Sequence, residues 1–209
     1  MTQTITIAPL SRLEGHGKIT IQLDDHGEVA SSRFHVTEFR GFELFCRGRL
    51  LSEMPVITPR ICGICPVSHH LAAAKATDDA LGVEIPPAAK MLRELMHMGQ
   101  TIHSHALHFF FLAAPDLVLG PDSDPALRNI VGLVAADPEL AKKAIALRKI
   151  GQDIVARTGG RPIHPVTAIP GGMSKPLSAA DRDAIRRDLP EALKLAQLAI
   201  EVARGVCEK

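Results

Sequence analysis

The chain has 209 residues, 46% hydrophobic and 22% charged, which is enough for one packed domain or two small ones and disfavours wholesale disorder. Its 24 Lys and Arg against 23 Asp and Glu leave a formal net charge of +1, which argues against a general nucleic-acid binder. The sequence shows no apolar run long enough to span a bilayer and no charged-then-apolar leader, so we expect no membrane span.

The first forty residues are predicted to be β structure. Ile19, Ile21 and Leu23 alternate with polar residues, which is the pattern of a half-buried strand. The turn sequence Asp-Asp-His-Gly at 24–27 follows, and residues 29–39 are typical of a second, returning strand.

From residue 41 onward the sequence favours helices. Residues 41–51 predict a short helix, and residues 55–59, which begin and end with proline, predict a rigid extended link. An Ala-rich helix is expected over 68–81, ending at Gly82, and a long apolar helix over 87–114. The residues expected on the buried face of the long helix are Leu92, Leu95, Met96, Ile102, Leu107 and Phe110.

Proline and glycine mark the later boundaries. Asp124-Pro125 and Asp137-Pro138 each resemble an N-cap followed by a first-turn proline, and the second of these helices should run to Thr158. Residues 161–176 are predicted to form a Pro/Gly-rich loop. Residues 178–206 are predicted to form either one helix or two, with Pro190 marking the break in the second case.

The predicted fold class is mainly α with a small N-terminal antiparallel β unit (α+β). We expect a single domain over residues 1–209, with the β unit in 1–40 and the helical part in 41–209, because no repeat, low-complexity tract or linker interrupts the chain.

Cysteine and histidine usage directs attention to metal and redox chemistry. Four cysteines are too few for a disulfide scaffold and favour a reducing compartment, whereas ten histidines are many for this length. Cys62 and Cys65 are separated by two residues, with His69 and His70 just beyond them. Such a pair binds a metal, forms a redox disulfide or is simply structural, and the helix predicted to follow it favours thiolates.

Neither common use of the pair fits well. Structural zinc needs four ligands, and Cys46 and Cys207 do not form a second pair. A thioredoxin-like site needs a strand leading directly into the motif. In this chain the rigid link over 55–59, with a proline at each end, occupies that place. Thiolates also suit nickel and iron, so the residues alone leave metal, dithiol and structural roles open.

Two carboxylates lie in distinctive segments, Glu14 in a small-residue turn before a strand and Glu43 at a strand-to-helix switch. Taken singly, each is more often a solvated charge or a helix-start acid. The histidines of the long helix are interpreted as polar groups with satisfied hydrogen bonds and no ligand role. They are His97, His103, His105 and His108.

Three segments together closely resemble the N-terminal motifs of the large subunit of nickel–iron hydrogenases. They are residues 11–16 (Ser-Arg-Leu-Glu-Gly-His), 39–43 (Phe-Arg-Gly-Phe-Glu) and 60–69 (Arg-Ile-Cys-Gly-Ile-Cys-Pro-Val-Ser-His). Residues 159–165, followed by Gly171-Gly172, resemble a further family element. The resemblance covers essentially the whole chain, and the sequences of the motifs are most similar to those of the cytoplasmic, bidirectional NAD-reducing group. It implies the helical-bundle core of that subunit.

The resemblance implies a role for each motif residue. Cys62 would be a terminal nickel ligand, and Cys65 would bridge nickel to an iron that carries carbonyl and cyanide ligands. His69 would donate a hydrogen bond to a bridging thiolate. Glu14 would be the first proton-relay carboxylate, its pKa raised by burial near Leu13.

Glu43 would bind a magnesium ion or a similar hard cation through oxygen, and Arg60 would have a supporting role.

The resemblance also implies a reaction and partners. Dihydrogen would be split heterolytically, and the electrons would leave through an iron–sulfur small subunit. In the NAD-reducing group a diaphorase module with flavin (FMN) and NAD would lie beyond it, in the cytoplasm. Iron–sulfur clusters, flavin and NAD would then belong to partner chains.

One departure from the family pattern is large. The family holds its metals with four cysteines, two from a second Cys-x-x-Cys motif near the C-terminus, and after Cys65 this chain has only Cys207. We therefore expect the chain to be the N-terminal part of a longer subunit. The alternatives are an apo or truncated fragment that binds the small subunit without catalysis, a complex I-like quinone-site protein, against which Cys62 and Cys65 count, and a thiol-disulfide oxidoreductase.

Overall fold

The first unit of the chain is a small antiparallel sheet. A computed structural model describes residues 3–208 and divides the chain into two units, Met1–Phe42 and Glu43–Lys209. Strands β1 (Gln3–Ile7), β2 (Gly17–Leu23) and β3 (Val29–Val36) pair in the order β1-β2-β3.

Strand β1 repeats the alternation that predicted β2. Ile5 pairs with Ile21, and Ile21 pairs with Ser32 on the other side. A register shift at Gln22/Leu23 ends the regular pairing of β2 with β3. The sheet keeps large apolar side chains exposed, among them Phe34.

Helices make up most of the chain from residue 42 onward. The α-helices are α1 (Phe42–Cys46), α2 (Met54–Ile57), α3 (Pro66–Leu81), α4 (Pro87–Leu107), α5 (Ala114–Leu119), α6 (Ile130–Ala136), α7 (Pro138–Gly159) and α8 (Ala179–Cys207). Single 3-10 turns cover Leu51–Glu53 and Thr58–Ile61, and His108–Ala113 is π-helical. A short hairpin, β4 (Ala168–Ile169) with β5 (Gly172–Met173), lies inside the predicted loop. The expected mainly α fold with a small antiparallel β unit is confirmed.

Two predictions between residues 41 and 61 are wrong. The helix expected over 41–51 ends at Cys46, and the link expected to be extended over 55–59 is helical. Pro55 and Pro59 each occupy the first turn of a helical segment, where no backbone N–H is needed and the fixed φ of proline suits a helix. Each proline therefore lies in the first turn of a helical segment, and the backbone there is not extended.

One later boundary differs from the sequence prediction, and at another the structure decides between two predicted alternatives. Asp124-Pro125 forms a turn in which the Asp124 side chain accepts from Ala126 N at 2.9 Å, and Asn129 caps α6 instead. Helix α8 continues through Pro190 without a break. Pro190 is exposed, so water can solvate the carbonyl that lacks its usual N–H partner. The predicted Asp137 N-cap and the Gly82 end of α3 are confirmed.

The second unit has its main contact between α4 and α7. A β-carbon on Gly99 of α4 would lie 2.7 Å from the Ile154 Cγ2 atom, and one on Gly151 of α7 would lie 2.6 Å from the Gly99 carbonyl oxygen. The two backbones thus approach so closely that neither position has room for a side chain. Met96 and Phe110, predicted to face the core, are both buried.

Two buried apolar clusters extend from this contact. Val67 at the start of α3 packs with Met96 and Val155, which places the residues after the cysteine motif against α4 and α7. The second cluster joins α4, the π-helical turn, α7 and α8, and its buried members are Ala106, Phe110, Leu140, Ala144, Leu147, Ala192 and Leu195.

Helices α4 and α5, with the π-helical turn between them, form a continuous helical stretch, Pro87–Leu119. By length and composition alone it is apolar enough to cross a membrane, and within residues 3–208 it is the single stretch of this kind. A core helix passes the same test, and α4 packs on α7 and carries the buried Arg93 and Gln100. The expected absence of a membrane span stays a prediction.

A buried ion pair holds the hairpin against the helices. Arg93 donates to Asp78 Oδ2 at 2.6 Å and, through Nη2, to the Ile169 and Gly172 carbonyls at 2.9 Å each. Asp78 Oδ1 accepts from the Gly171 amide at 2.7 Å. Both buried charges are therefore paired and hydrogen-bonded, and their contacts join α3, α4 and the hairpin.

His70 makes a second buried connection. Its Nδ1 lies 2.5 Å from the Pro55 carbonyl oxygen, and its Nε2 accepts from Ala168 N at 2.9 Å. A carbonyl only accepts and an amide only donates, so the ring is neutral with its proton on Nδ1. Burial lowers the pKa of His70, partly offset by the hydrogen bond to Pro55, and the positive charge of Arg93 lowers it further.

We predict that Gly151→Ala destabilises the chain, because the added methyl group overpacks the α4–α7 contact. Overpacking of this kind costs about 1–3 kcal/mol of unfolding free energy. Gly205→Ala in α8 is the matched control, since nothing lies within 4 Å of its added β-carbon, and it should stabilise by about 0.5–1 kcal/mol. Urea unfolding of the three proteins measures both effects, and equal responses at the two sites would contradict the packing argument.

We also predict that stability falls as the pH drops below about 6.5, the ordinary pKa of histidine. His70 stays neutral in the folded chain and takes up a proton in the unfolded chain, so acid favours unfolding. His70→Gln should reduce this pH dependence, whereas His26→Gln in an exposed turn should not change it. Urea midpoints at several pH values give the answer, and parallel curves for all three proteins would refute the role of His70.

Candidate metal centre

Three predicted residues come together at the start of α3. One ligating atom each from Cys62, Cys65 and His69 lie within 4.8 Å of one another, and all three residues are half-buried. Within residues 3–208 this is the one group of three or more clustered Cys, His, Asp or Glu side chains that could hold a metal ion. The structure thus assembles the thiol and imidazole donors that the sequence singled out.

The local backbone explains this arrangement. The 3-10 turn ends at Ile61, Cys62 is extended with φ −141° and ψ 133°, and Cys65 is the N-cap residue of α3. Pro66 occupies the first helical position, so the helix begins immediately after the second thiol. His69 lies one turn into the helix, on the side of Cys65.

The Cys62 sulfur lies in a cradle of backbone amides. Its Sγ accepts from Ile64 N at 3.4 Å and from Cys65 N at 3.3 Å. Hydrogen bonds from amides stabilise negative charge on sulfur, and the positive end of the α3 dipole acts in the same direction on Cys65. The loop therefore offers two backbone amides to the Cys62 sulfur, and thiolate is the metal-binding form of cysteine.

Two residues of α4, neither of them assigned a role in the sequence interpretation, meet the loop between the cysteines. Gln100 Nε2 donates to the Ile64 carbonyl at 2.9 Å, and Gln100 is buried. Burial lowers the pKa of His103, as does the charge of Arg148, while a hydrogen bond with the Ile64 backbone raises it. No periodicity or motif spacing links residues 100 and 103 to residue 64, so no sequence signal pointed to this contact.

The expectation that the helix histidines are all satisfied is wrong for His103. Its Nδ1 is buried and has no hydrogen-bond partner within residues 3–208. His97, His105 and His108 are exposed and belong to no ligand cluster in the described chain.

Glu14 lies in the first unit, in the loop between β1 and β2. Gly15 has φ +86°, where a side chain is strained, and a β-carbon there would lie 3.0 Å from the Glu38 carboxylate. His16 Nδ1 is 2.5 Å from that same carboxylate oxygen. Glu14 itself is exposed, and Leu13 is 40% exposed, so the expected burial of Glu14 is not provided by residues 3–208.

Glu43 and Arg60 are both exposed. Glu43 lies in the first turn of α1 and belongs to no cluster of three ligating side chains among the described residues. Arg60 lies in the last turn of the 3-10 segment before Cys62.

The donor set fits a nickel–iron centre in part. Thiolate sulfur is a soft donor that suits nickel and iron, and the amide cradle at Cys62 is suited to a charged sulfur ligand. Cys62 and Cys65 supply two of the four thiolates that the resemblance implies. Cys46 and Cys207 join no cluster of ligating groups within residues 3–208.

Comparison with known families agrees with the motifs. A family model described as nickel-dependent hydrogenase matches residues 40–146, and one described as HoxL-like matches residues 4–39. Among solved structures, that of an NAD+-reducing NiFe hydrogenase in the H2-reduced state has a TM-score of 0.94 at 51% identity, over 100% of this chain and 46% of that chain.

Two curated relatives show how the similarity is distributed. The chain is 58% identical over 205 residues to a vhu-type F420-non-reducing hydrogenase polypeptide of Methanococcus voltae, covering 98% of this chain and 49% of that protein. It is 43% identical over 189 residues to the NAD-reducing hydrogenase HoxS subunit beta of Cupriavidus necator, covering 88% and 39%.

The chain therefore spans about half the length of the relatives it matches. One of these relatives is named NAD-reducing and the other F420-non-reducing, and the second has the higher identity of the two, so the expected NAD-reducing assignment is not specific. The motifs, the fold and both kinds of relative all indicate a hydrogenase. The chain belongs to the nickel-dependent hydrogenase large-subunit family.

Proposed function

We propose that this chain carries the N-terminal half of the catalytic site of a nickel–iron hydrogenase, which oxidises dihydrogen or reduces protons. The observation that carries the proposal is the cluster of Cys62, Cys65 and His69, whose ligating atoms lie within 4.8 Å of one another on the motif that resembles the family's. The centre, when bound, supplies heterolytic cleavage of dihydrogen.

Each residue of the cluster has a proposed role. Cys62 would hold nickel, and its amide cradle would stabilise the charge of the thiolate. Cys65, at the start of α3 where the helix dipole favours a thiolate, would hold both nickel and an iron that carries carbonyl and cyanide ligands. His69 would donate a hydrogen bond to the Cys65 sulfur and fix its orientation. Arg60 adds positive charge beside the pair.

The two carboxylates are proposed to act on protons and on a hard cation. Glu14 accepts and releases the proton that leaves the metal centre, and the exposure of Glu14 and Leu13 in this chain requires a further polypeptide to cover them. Glu43 contributes oxygen ligation to magnesium.

The proposed partner is an iron–sulfur small subunit, because four cysteines cannot both hold the centre and supply an electron path. The final acceptor is proposed to be NAD, reached through a diaphorase module with FMN in the cytoplasm, which the relative named HoxS subunit beta supports. The relatives named F420-non-reducing are not named for NAD, so the alternative is an assembly that does not reduce NAD. Enzyme assays with NAD and with an artificial dye, on the purified assembly, distinguish the two.

Metal analysis tests the proposed function. The chain, purified anaerobically with its native assembly, should contain nickel together with iron. Zinc alone would instead indicate a structural site at the three-ligand cluster. Absence of metal from the freshly purified assembly would favour the alternative of an apo or truncated fragment that only binds the small subunit. A thiol-disulfide oxidoreductase would be metal-free and would reduce a disulfide substrate.

The replacement Cys65→Ser should abolish assembly of the metal centre and not merely slow turnover. A bridging thiolate binds two metals, and a serine hydroxyl is a harder donor that stays protonated near neutral pH. We expect nickel content to fall to background by elemental analysis. Cys46→Ser and Cys207→Ser are matched controls outside the cluster and should keep wild-type nickel. A full nickel complement in Cys65→Ser would show that the ligand assignment is wrong.

For Glu14→Gln we expect hydrogen uptake to fall by about 10²–10⁴-fold, the usual contribution of a positioned acid–base group. The amide keeps the size of the carboxylate but cannot accept and release a proton, and nickel should stay bound because Glu14 is not a proposed ligand. Glu28→Gln, another exposed glutamate of the first unit, is the control. Near-normal hydrogen uptake with full nickel would show that Glu14 is a solvated turn residue and does not relay protons.

A further inference from the structure

The peptide group between Ile64 and Cys65 is held from both sides. Its carbonyl accepts from Gln100 Nε2 at 2.9 Å, and its N–H donates to Cys62 Sγ at 3.3 Å. Carbonyl and N–H belong to one planar unit, so fixing one end fixes the direction of the other. The orientation of this peptide therefore decides whether an amide faces the sulfur of Cys62.

Gln100 is itself firmly placed. It is 4% exposed and follows Gly99, where the α4 and α7 backbones are in contact. A shift of α4 would bring Gly99 against Ile154 or Gly151, so the helix has little freedom to carry Gln100 away from the loop. Loop residues 62–65 have no helical or strand pairing of their own, and the contact from α4 supplies the missing constraint.

We propose that Gln100 is a positioning residue for the metal centre: by binding the Ile64 carbonyl it keeps the 64–65 peptide turned so that the Cys65 N–H donates to the Cys62 sulfur. The role rests on the proposed function of the cysteine pair. Without the Gln100 donor, the Ile64 backbone keeps its hydrogen bond with His103 but loses the one from Gln100, the peptide is freer to rotate, and the N–H···S hydrogen bond to Cys62 is weakened. Outer hydrogen bonds of this kind tune metal affinity and the electronic state of the metal.

Two variants test this in the native assembly. Gln100→Met keeps the length and apolar packing but deletes the donor, and Gln100→Asn keeps the amide but withdraws it from the Ile64 carbonyl. Gln197→Met on the exposed side of α8 is the control. Nickel retention is measured during dialysis against increasing chelator, and the sulfur environment of the remaining nickel is measured by X-ray absorption and electron paramagnetic resonance.

Both Gln100 variants should lose nickel at chelator concentrations about 10–100-fold lower than wild type, the usual effect of removing an outer hydrogen bond. The nickel that remains should have an altered spectrum, which a purely structural role would not produce. Wild-type retention with an unchanged spectrum in both variants would overturn the inference while leaving the proposed function intact. A wild-type assembly without nickel and iron would overturn both.

If both variants fail to fold by circular dichroism, the unchanged protein provides the test. The side-chain amide protons of Gln100 should then exchange with solvent far more slowly than those of Gln197, because the first are buried and donated to a carbonyl. Equally fast exchange at the two residues would overturn the inference.

Discussion

The close backbone contact of α4 with α7 is the constraint on which the rest of the helical unit depends. With no room for a side chain at Gly99 or Gly151, the two helices are held in one register along their contact. That register places Gln100 beneath the cysteine loop and aligns Met96 with Val155 of α7 and Val67 of α3. A metal centre needs its ligands held to within a fraction of an ångström, and a helix pair locked by backbone contact is a rigid support for it.

Buried polar groups complete this support where apolar packing cannot. The Asp78–Arg93 pair and the neutral ring of His70 reach backbone groups of the 168–173 hairpin, which has too few residues to form a core of its own. His70 also binds the carbonyl of Pro55, in the helical segment before the cysteine motif. These contacts fix segments on both sides of α3, so the start of α3, with Cys65 and His69, is held by more than its own helix.

The cysteine cluster and the two candidate carboxylates differ in how the structure places them. The thiols and His69 are brought together by contacts within residues 43–208, whereas Glu14 and Glu43 are exposed. Large apolar side chains of the sheet are exposed too, such as Phe34 at 57%. Within residues 3–208, both carboxylates and these apolar side chains are thus left in solvent.

The sequence by itself determined the fold class, most helix positions and the cysteine cluster. Cys65 and His69 are four residues apart across the start of α3, so the helix brings them to one side, and the short loop between the cysteines turns the Cys62 sulfur onto the Ile64 and Cys65 amides. Their proximity therefore follows from local geometry. The sequence does not say whether a proline ends a helix or is accommodated in one. Pro55 and Pro59 each lie in the first turn of a helical segment, and Pro190 is tolerated inside α8 because it is exposed to water. Only the tertiary structure decided that Gln100 and His103 meet Ile64, that His70 spans Pro55 and Ala168, and that Glu14 is exposed. Such contacts join residues far apart in the chain, and their formation depends on how helices pack, which no periodicity or local spacing encodes.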